Sequence, residues 1–347
     1  MGYEYDDLQG YCASCFITFA VMKHVSILIP KGGVSIATIE STYQILSHVN
    51  GILSDKEKSC LFHIQLVGLS MPSGLHNVRF FAKPDVLISE VTKSDLIIIP
   101  STIGKPSNNI AINHEVIAWI TQLHEKGAEV ASFCVGAFLL AATGLLKGKQ
   151  CATHWQSANA FRQMFPDINL VDDKIMTDEN GIYTSGGSHS YLNLLVYLVE
   201  KYAGRDVAIQ IAKTYMIDID RTSQSPFIIF KGQKAHEDGQ VKKAQEFIES
   251  NFSEKITVDQ LAEILALSRR SLERRFKEAT GNTIVEYIQR VKIEAAKKGF
   301  ESNRKNINEV MYEVGYADSK GFRSVFKKVT GLSPVAYRKK YNKLIAE

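Results

Sequence analysis

The chain has 347 residues, 45% of them apolar, and is long for a single hydrophobic core, which predicts about two domains. Its five cysteines are scattered and odd in number, which excludes a disulfide-built secreted scaffold and predicts a reducing, cytoplasmic setting. The net charge of +4 is uneven: residues 241–347 hold 22 Lys and Arg against 14 Asp and Glu, whereas the first 240 hold 19 against 23, so one end suits a polyanion and the other does not.

Residues 1–22 read as an N-terminal extension or first strand. Their apolar run YCASCFITFAVM has no basic segment before it and no small-residue cleavage site after it, and it is shorter than the ~20 residues of a membrane span, so no membrane contact is expected. Cys12 and Cys15 form a C-x-x-C. No second pair follows at zinc spacing and no strand-to-helix pattern marks a redox motif, so no metal is expected.

From residue 23 to 216, short apolar runs (VSILIP, LFHIQLVGLS, DLIIIP, EVASF, IYTSGG) alternate with helical periods (HEVIAWITQLHEKG, VGAFLLAATGLL, SYLNLLVYLVEKYAG). That alternation predicts an α/β domain with a mostly parallel sheet covered on both faces, whose ligands sit at the carboxyl ends of the strands. In ASFCVGAFLL, Cys134 stands where a strand run stops and a helical run begins, and Gly136 permits a sharp turn. A thiol there lies at an apex near a helix N-terminus, an arrangement that favours thiolate; the alternative is a small buried hydrophobe. Cys60 and Cys151 are expected to be buried. Trp119 and Trp155 are expected in the core or in a pocket wall. Gly186 and Gly187 read as room for a ligand or as a tight turn, and His189 as a pocket, surface or capping residue.

The polar stretch within residues 217–240 has no clear period and reads as a linker. Residues 241–343 are all helical in pattern and repeat at an offset of 50: Phe276 with Phe326, Lys277 with Lys327, Thr280 with Thr330, Gly281 with Gly331, Val285 with Val335 and Tyr287 with Tyr337. One structural unit is used twice. In the first copy Thr257 caps a helix with Val258, Leu261, Ala262 and Leu265 inward, Ala266 and Leu267 turn, and Ser268 caps the next. That second helix points Leu272, Phe276 and Ala279 inward and Arg269, Arg270, Glu273, Arg274 and Lys277 outward. The second copy buries Ile307, Val310, Met311 and Val314, turns at Gly315, and starts its next helix at Asp318. It buries Phe322, Val325 and Phe326 while exposing Lys320, Arg323, Ser324, Lys327 and Lys328. Gly281 and Gly331 suit the position just past a helix end.

Two short helices with a tight turn and a cationic second helix describe a helix-turn-helix whose second helix enters the major groove. Arginines there can pair with guanine O6 and N7, and lysines with phosphates. The bland alternative is the solvated face of a helical bundle. A helix from Thr283 to Phe300 separates the copies and would hold the basic helices about one DNA turn, roughly 34 Å, apart.

INEVMYEV followed by GYADSKGFRSVFKKVTGLSPVAYRKKY, together with TVDQLAEILALSRRSLERRFKEATG, resembles the DNA-binding domain of AraC-family regulators; Ser324 stands where many members carry arginine. ASFCVGAFLLAATGLLKGKQCATHW and IYTSGGSHSYLNLLVYLVEKYAG resemble the flavodoxin-like DJ-1/PfpI domain, related to class I glutamine amidotransferases. That resemblance makes Cys134 the counterpart of a nucleophile and His154 of its assistant. Two positions depart from the enzymes: Ala37 or Thr38 stands where an acidic residue engages the cysteine, with Glu40 too far along, and Ser101-Thr102-Ile103 replaces the glycine-rich oxyanion segment.

The resemblances imply a sequence-specific transcriptional regulator of double-stranded DNA, with RNA polymerase a candidate partner. Its N-terminal domain is expected to sense an unknown small molecule, to form a homodimer, or both, with Cys134, Val135, His154, Trp155, Gly186, Gly187 and His189 as the candidate pocket. No cofactor and no enzymatic activity are expected. The rival readings are a cysteine-dependent amidase, glyoxalase or related hydrolase using Cys134 and His154, and a redox sensor at Cys134.

Overall fold

The computed structural model describes residues 22–55, 60–70, 80–302 and 305–342; Cys12, Cys15 and all but the last residue of the expected extension lie outside them. The N-terminal domain is built on seven strands: β1 (Lys23–Ile29), β2 (Phe62–Gly68), β3 (Val86–Leu87), β4 (Leu96–Ile99), β5 (Glu129–Ser132), β6 (Met176–Asp178) and β7 (Ile182–Ser185). Their order is β6-β7-β5-β4-β1-β2-β3. Every pairing is parallel except β6 with β7.

Alternation along the strands divides the core. Val25, Ile27 and Ile98 join one cluster, covered by helices Ile36–Ser54, Ser190–Ala203 and Arg205–Thr214. Leu28, Ile97 and Ile99 join the other, under helices His114–Glu125 and Ala137–Ala142. Because both faces are covered, these strands read as continuous Ile, Leu and Val runs. Trp119 is a core residue of the second cluster, its Nε1 donating to the Val91 carbonyl at 3.2 Å. Cys151 is buried as expected, but Cys60 is exposed. It lies at the approach to β2, where burial begins with the next residue, Leu61.

The C-terminal domain is helical: Gly239–Ser250, Val258–Ile264, Arg269–Thr280, Ile284–Ser302, Ile307–Glu313, Ser319–Thr330 and Pro334–Tyr341. Its helix starts follow from local chemistry. Thr257 with Gln260, and Asn306 with Glu309, form reciprocal capping boxes, while Ser268 and Asp318 accept the N–H groups of the helices they precede. Each copy has its own core, around Leu272, Phe276 and Tyr287 in one and Phe322, Phe326 and Tyr337 in the other. Residues 271–280 and 321–330 share one sequence of buried, half-buried and exposed positions without exception.

The stretch expected to be a linker makes contacts with both domains over residues 223–235. Ser223 bridges to Lys174 beside β6, Gln224 is 1% exposed, and Tyr341 donates its hydroxyl to the Pro226 carbonyl at 3.2 Å. Phe230 N–H donates to Glu294 at 3.1 Å, Lys234 pairs with Glu249 at 2.6 Å, and Gln163 donates to the Ala235 carbonyl at 3.3 Å. Its side chains bond to backbone and to distant carboxylates rather than forming a periodic apolar face, so it forms a strap with no repeating pattern.

Candidate functional site

The C-terminal domain presents its cations on two equivalent helices. In Arg269–Thr280, Leu272 and Phe276 are buried and Arg269, Arg270, Glu273, Arg274 and Lys277 are exposed; in Ser319–Thr330, Phe322 and Phe326 are buried and Lys320, Arg323, Ser324, Lys327 and Lys328 are exposed. Both helices end at a left-handed glycine, Gly281 at φ 71° and Gly331 at φ 73°, a conformation that costs glycine nothing. The turns inside the two units differ. Gly315 turns the second at φ 74°, whereas Ala266 holds φ 51° in the first, a conformation that strains a side chain bearing a Cβ.

The two basic surfaces also differ in how far they are already neutralised. Arg269 pairs with Asp259 and Glu273, both at 3.1 Å, and Arg274 with Glu278 at 3.0 Å. Among the described residues, no carboxylate lies within ion-pair distance of Arg270, Lys277, Lys320, Arg323, Lys327 or Lys328. Lys277 caps its own helix by donating to the Gly281 carbonyl at 2.7 Å. Sequence reasoning passed over Arg275, which is half-buried and pairs in bidentate fashion with Asp238, both contacts at 2.7 Å. Asp238 is the N-cap of helix Gly239–Ser250, so the pair fastens that helix to the first basic one. The repeat carried the available signal: Arg275 stands at the position of Val325, which the second copy turns inward.

In the N-terminal domain the chain leaves β5 through an elbow. Cys134 has φ 54° and opens a single 3₁₀ turn, Cys134–Gly136, that feeds helix Ala137–Ala142. A side chain in this region is strained, and the surroundings hold it there. Thr153 donates its hydroxyl to the Cys134 carbonyl at 2.8 Å, and Cys134 N–H donates to Ser185 Oγ at 3.4 Å. A Cβ on Gly136 would sit 2.4 Å from the Pro100 carbonyl oxygen, so glycine is required for the turn to pack. Cys134 itself is only 6% exposed.

The other pocket candidates divide into separate neighbourhoods. The His154 ring lies against Gly187, where a Cβ would come within 3.0 Å of it. Its Nδ1 accepts the Gln156 N–H at 3.1 Å, and burial pushes its pKa down; the favoured species is neutral with the proton on Nε2. No hydrogen bond joins His154 to Cys134 among the described residues. The space beside Gly186 and Gly187 that could have received a ligand is filled instead: a Cβ on Gly186 would lie 2.8 Å from the Gln224 carboxamide. Val135 is half-buried, and the exposed His189 stacks on Tyr191 with ring centroids 6.5 Å apart. Trp155 lines a ≈380 Å³ cavity between the domains, with Asn159, Ile228, Phe230 and Arg290.

The segments around Thr38 and Ser101 bond to each other. Thr38 is buried, donates its hydroxyl to the Ser35 carbonyl at 2.7 Å and accepts the Ser101 N–H at 3.3 Å; Ala37 and Glu40 are exposed. The backbone from Ser101 onward is held in pairing: Ser35 N–H donates to the Ser101 carbonyl at 2.8 Å, and Thr102–Ile103 pairs with Gly33–Val34.

Residues 63–201 match the DJ-1/PfpI family and residues 261–340 a helix-turn-helix domain family. The chain is 22% identical over 252 residues to the HTH-type transcriptional regulator GbdR of Pseudomonas aeruginosa, covering 72% of this chain and 68% of that one. It is 24% identical over 243 residues to the HTH-type transcriptional regulator GlxA of Rhizobium meliloti, covering 68% and 73%. Over 93 residues it is 42% identical to the bifunctional transcriptional activator/DNA repair enzyme AdaA of Bacillus subtilis, covering 27% and 44%. A crystal structure of a candidate transcriptional regulator from Vibrio parahaemolyticus aligns with a TM-score of 0.50 at 23% identity, covering 56% of this chain and 99% of that one; this likeness concerns the fold alone. Among the described residues, no helix is long and apolar enough to cross a membrane.

Proposed function

We propose that this chain, a DJ-1/PfpI-type domain followed by an AraC-type helix-turn-helix domain, is a DNA-binding transcriptional regulator that reads two successive major-groove segments with its two basic helices. The observation that carries the reading is the position-for-position agreement in burial between those helices, which turns both cationic faces outward. Arg270 and Arg274 are the base-reading candidates of the first helix and Arg323 of the second. Lys277, Lys320, Lys327 and Lys328 neutralise phosphates, and Arg269, Glu273 and Ser324 complete the contact surface. The 19-residue helix Ile284–Ser302 separates the units; at 1.5 Å per residue it spans about 28 Å, close to one DNA turn.

In this reading the N-terminal domain supplies effector sensing, homodimer contacts or both, the chain works in the cytoplasm, and RNA polymerase is met at the promoter. The experiment is fluorescence anisotropy of the full chain on genomic fragments across a salt series. Specific binding is expected, with log affinity falling linearly with log salt. Salt-insensitive binding, or no binding to any fragment, removes the reading.

A second reading, a cysteine-dependent hydrolase, draws on the strained φ of Cys134, the geometry of a nucleophile elbow. Against it stand the uncharged Thr38 and the half-buried His154 whose Nδ1 is already engaged. Comparing turnover by wild type and Cys134→Ala on amide and α-oxoaldehyde substrates separates the two. Cysteine-dependent turnover at ordinary enzyme rates favours the hydrolase.

A further inference from the structure

Away from the elbow, the strap helps to enclose a second pocket. Ile175 N–H donates to the Thr222 carbonyl at 3.3 Å, so residues 219–222 run beside the edge strand β6. Between this segment, β6 and helix Ser190–Ala203 lies a pocket of ≈390 Å³. Its wall is mainly apolar, formed by Ile175, Met176, Val196 and Ile219, and its volume falls in the range of small-molecule sites.

The charges at this pocket do not balance. Lys174, Arg205 and Arg221 line it together with a single carboxylate, Glu200, and Arg205 holds that carboxylate at 2.6 Å. Lys174 donates to the neutral Gln150 Oε1 at 2.9 Å. Arg221 is half-buried and its Nε is fully buried with no hydrogen-bond partner among the described residues; the guanidinium carbon instead stands 4.5 Å from the Phe227 ring centre. Burial pushes the Arg221 pKa down, an effect that the charge of Asp218 partly offsets. A guanidinium that lines an apolar wall with no ion-pair partner among the described residues gains most from an anion that brings an apolar body with it.

We propose that this pocket binds a small organic acid, with its carboxylate at Arg221 and Lys174 and its apolar body against Ile175, Val196 and Ile219. The site is separate from the elbow and its occupant touches the strap directly. Arg221 and Lys340 lie on the same Phe227 ring, at 4.5 and 4.7 Å, so the pocket is two side chains away from the last helix of the DNA-binding domain. Binding itself does not depend on the regulator reading, because it is measured without DNA.

The test is calorimetric titration of the full chain with octanoate, and in parallel with octan-1-ol and octylammonium, which share its chain and differ in charge. Octanoate is expected to bind at one site per chain, at least about tenfold more tightly than either analogue, the difference of a charge-assisted hydrogen bond. Arg221→Met keeps an apolar stem and removes the charge; it is expected to weaken octanoate about tenfold and leave octan-1-ol unchanged. Ile219 is 42% exposed at the rim, so Ile219→Glu and Ile219→Lys lose the same apolar contact without opening the core and differ only in charge; octanoate is expected to bind the lysine variant more tightly than the glutamate variant. Equal affinity for octanoate and octan-1-ol, no octanoate binding at millimolar concentration, or identical affinity in the two Ile219 variants overturns the proposal.

Discussion

Gln224 accepts the Gly187 N–H on its Oε1 at 3.0 Å while its Nε2 donates to the Thr153 carbonyl at 3.0 Å and the Lys174 carbonyl at 3.1 Å. One carboxamide from the strap thereby satisfies three backbone groups, one of them on the residue that also bonds the Cys134 carbonyl. Gln224→Leu leaves those groups buried and unpaired, and is expected to cost about 1–3 kcal/mol of N-terminal domain stability. Urea unfolding followed by intrinsic fluorescence measures it. A loss below about 0.5 kcal/mol, the scale of an ordinary surface change, would show that water replaces the carboxamide freely.

The turns of the two helix-turn-helix units make opposite predictions for the same pair of residue types. Ala266 at φ 51° carries left-handed strain of about 1–2 kcal/mol, while glycine in its place adds back roughly 0.4–1 kcal/mol of unfolded-chain freedom. Ala266→Gly is therefore expected to stabilise by about 0.5–1 kcal/mol. Gly315→Ala meets the reverse situation, because its Cβ would lie 2.1 Å from the Ser253 carbonyl oxygen, and a loss of more than about 2 kcal/mol is expected from forced backbone movement. Thermal melts of both variants decide; shifts of the same sign would contradict the assignment.

DNA affinity should respond differently to charge changes on the two basic helices. Arg270→Ala is expected to relax base preference and cost about 1–3 kcal/mol on the specific site. Lys328→Ala, on the helix that has no ion pair among the described residues, is expected to weaken all sequences alike and lower the salt slope by about 1. Glu278→Gln releases Arg274 from its internal partner and is expected to raise affinity, because the arginine no longer leaves a carboxylate to reach DNA. Anisotropy titrations on specific and random duplexes separate these cases, and an unchanged or lower affinity for Glu278→Gln would remove Arg274 from the interface.

The Asp238–Arg275 pair predicts an acid-sensitive joint. Arg275, first, and then the Val241 and Gln240 N–H groups hold the Asp238 carboxyl at about 2, below its ordinary 3.8. For a carboxyl whose folded value is depressed, the stabilisation is complete above the unfolded value and is lost as pH falls from about 4 through about 2. Asp238→Asn keeps a side chain that caps helices well but removes the titration. The wild type is expected to lose its stability advantage over this variant across that window, read from unfolding midpoints between pH 6 and pH 2. Parallel curves would contradict the pair's role.

Much of the architecture is legible from local signals. The strands of the parallel sheet announce themselves as Ile, Leu and Val runs, and the duplicated helices by period, caps and terminal glycines, because each of those signals lies within a dozen or so residues of the feature it specifies. Cys134 at the elbow is legible for the same reason. What sequence reasoning missed depends on pairs far apart in the chain. Gln224 looks like any linker glutamine until Gly187 and Thr153 are placed beside it. Trp155, grouped with the pocket as the neighbour of His154 in CATHW, lines the cavity between domains. Arg275 looks like one more cation of a basic helix until Asp238 is brought to it at the start of helix Gly239–Ser250.

The packing of the strap bears on where the protein can be divided. A DNA-binding fragment begun at Val241 would discard Asp238, which caps its first helix and holds Arg275. It would also discard Lys234 and Phe230, the partners of Glu249 and Glu294. Begun at Ser225, it keeps all of these and leaves Gln224 with the domain it completes. A chimaera that grafts this reader onto another sensor should therefore be joined ahead of Ser225, where the loyalty of the backbone changes sides, and not at the first residue of the helices.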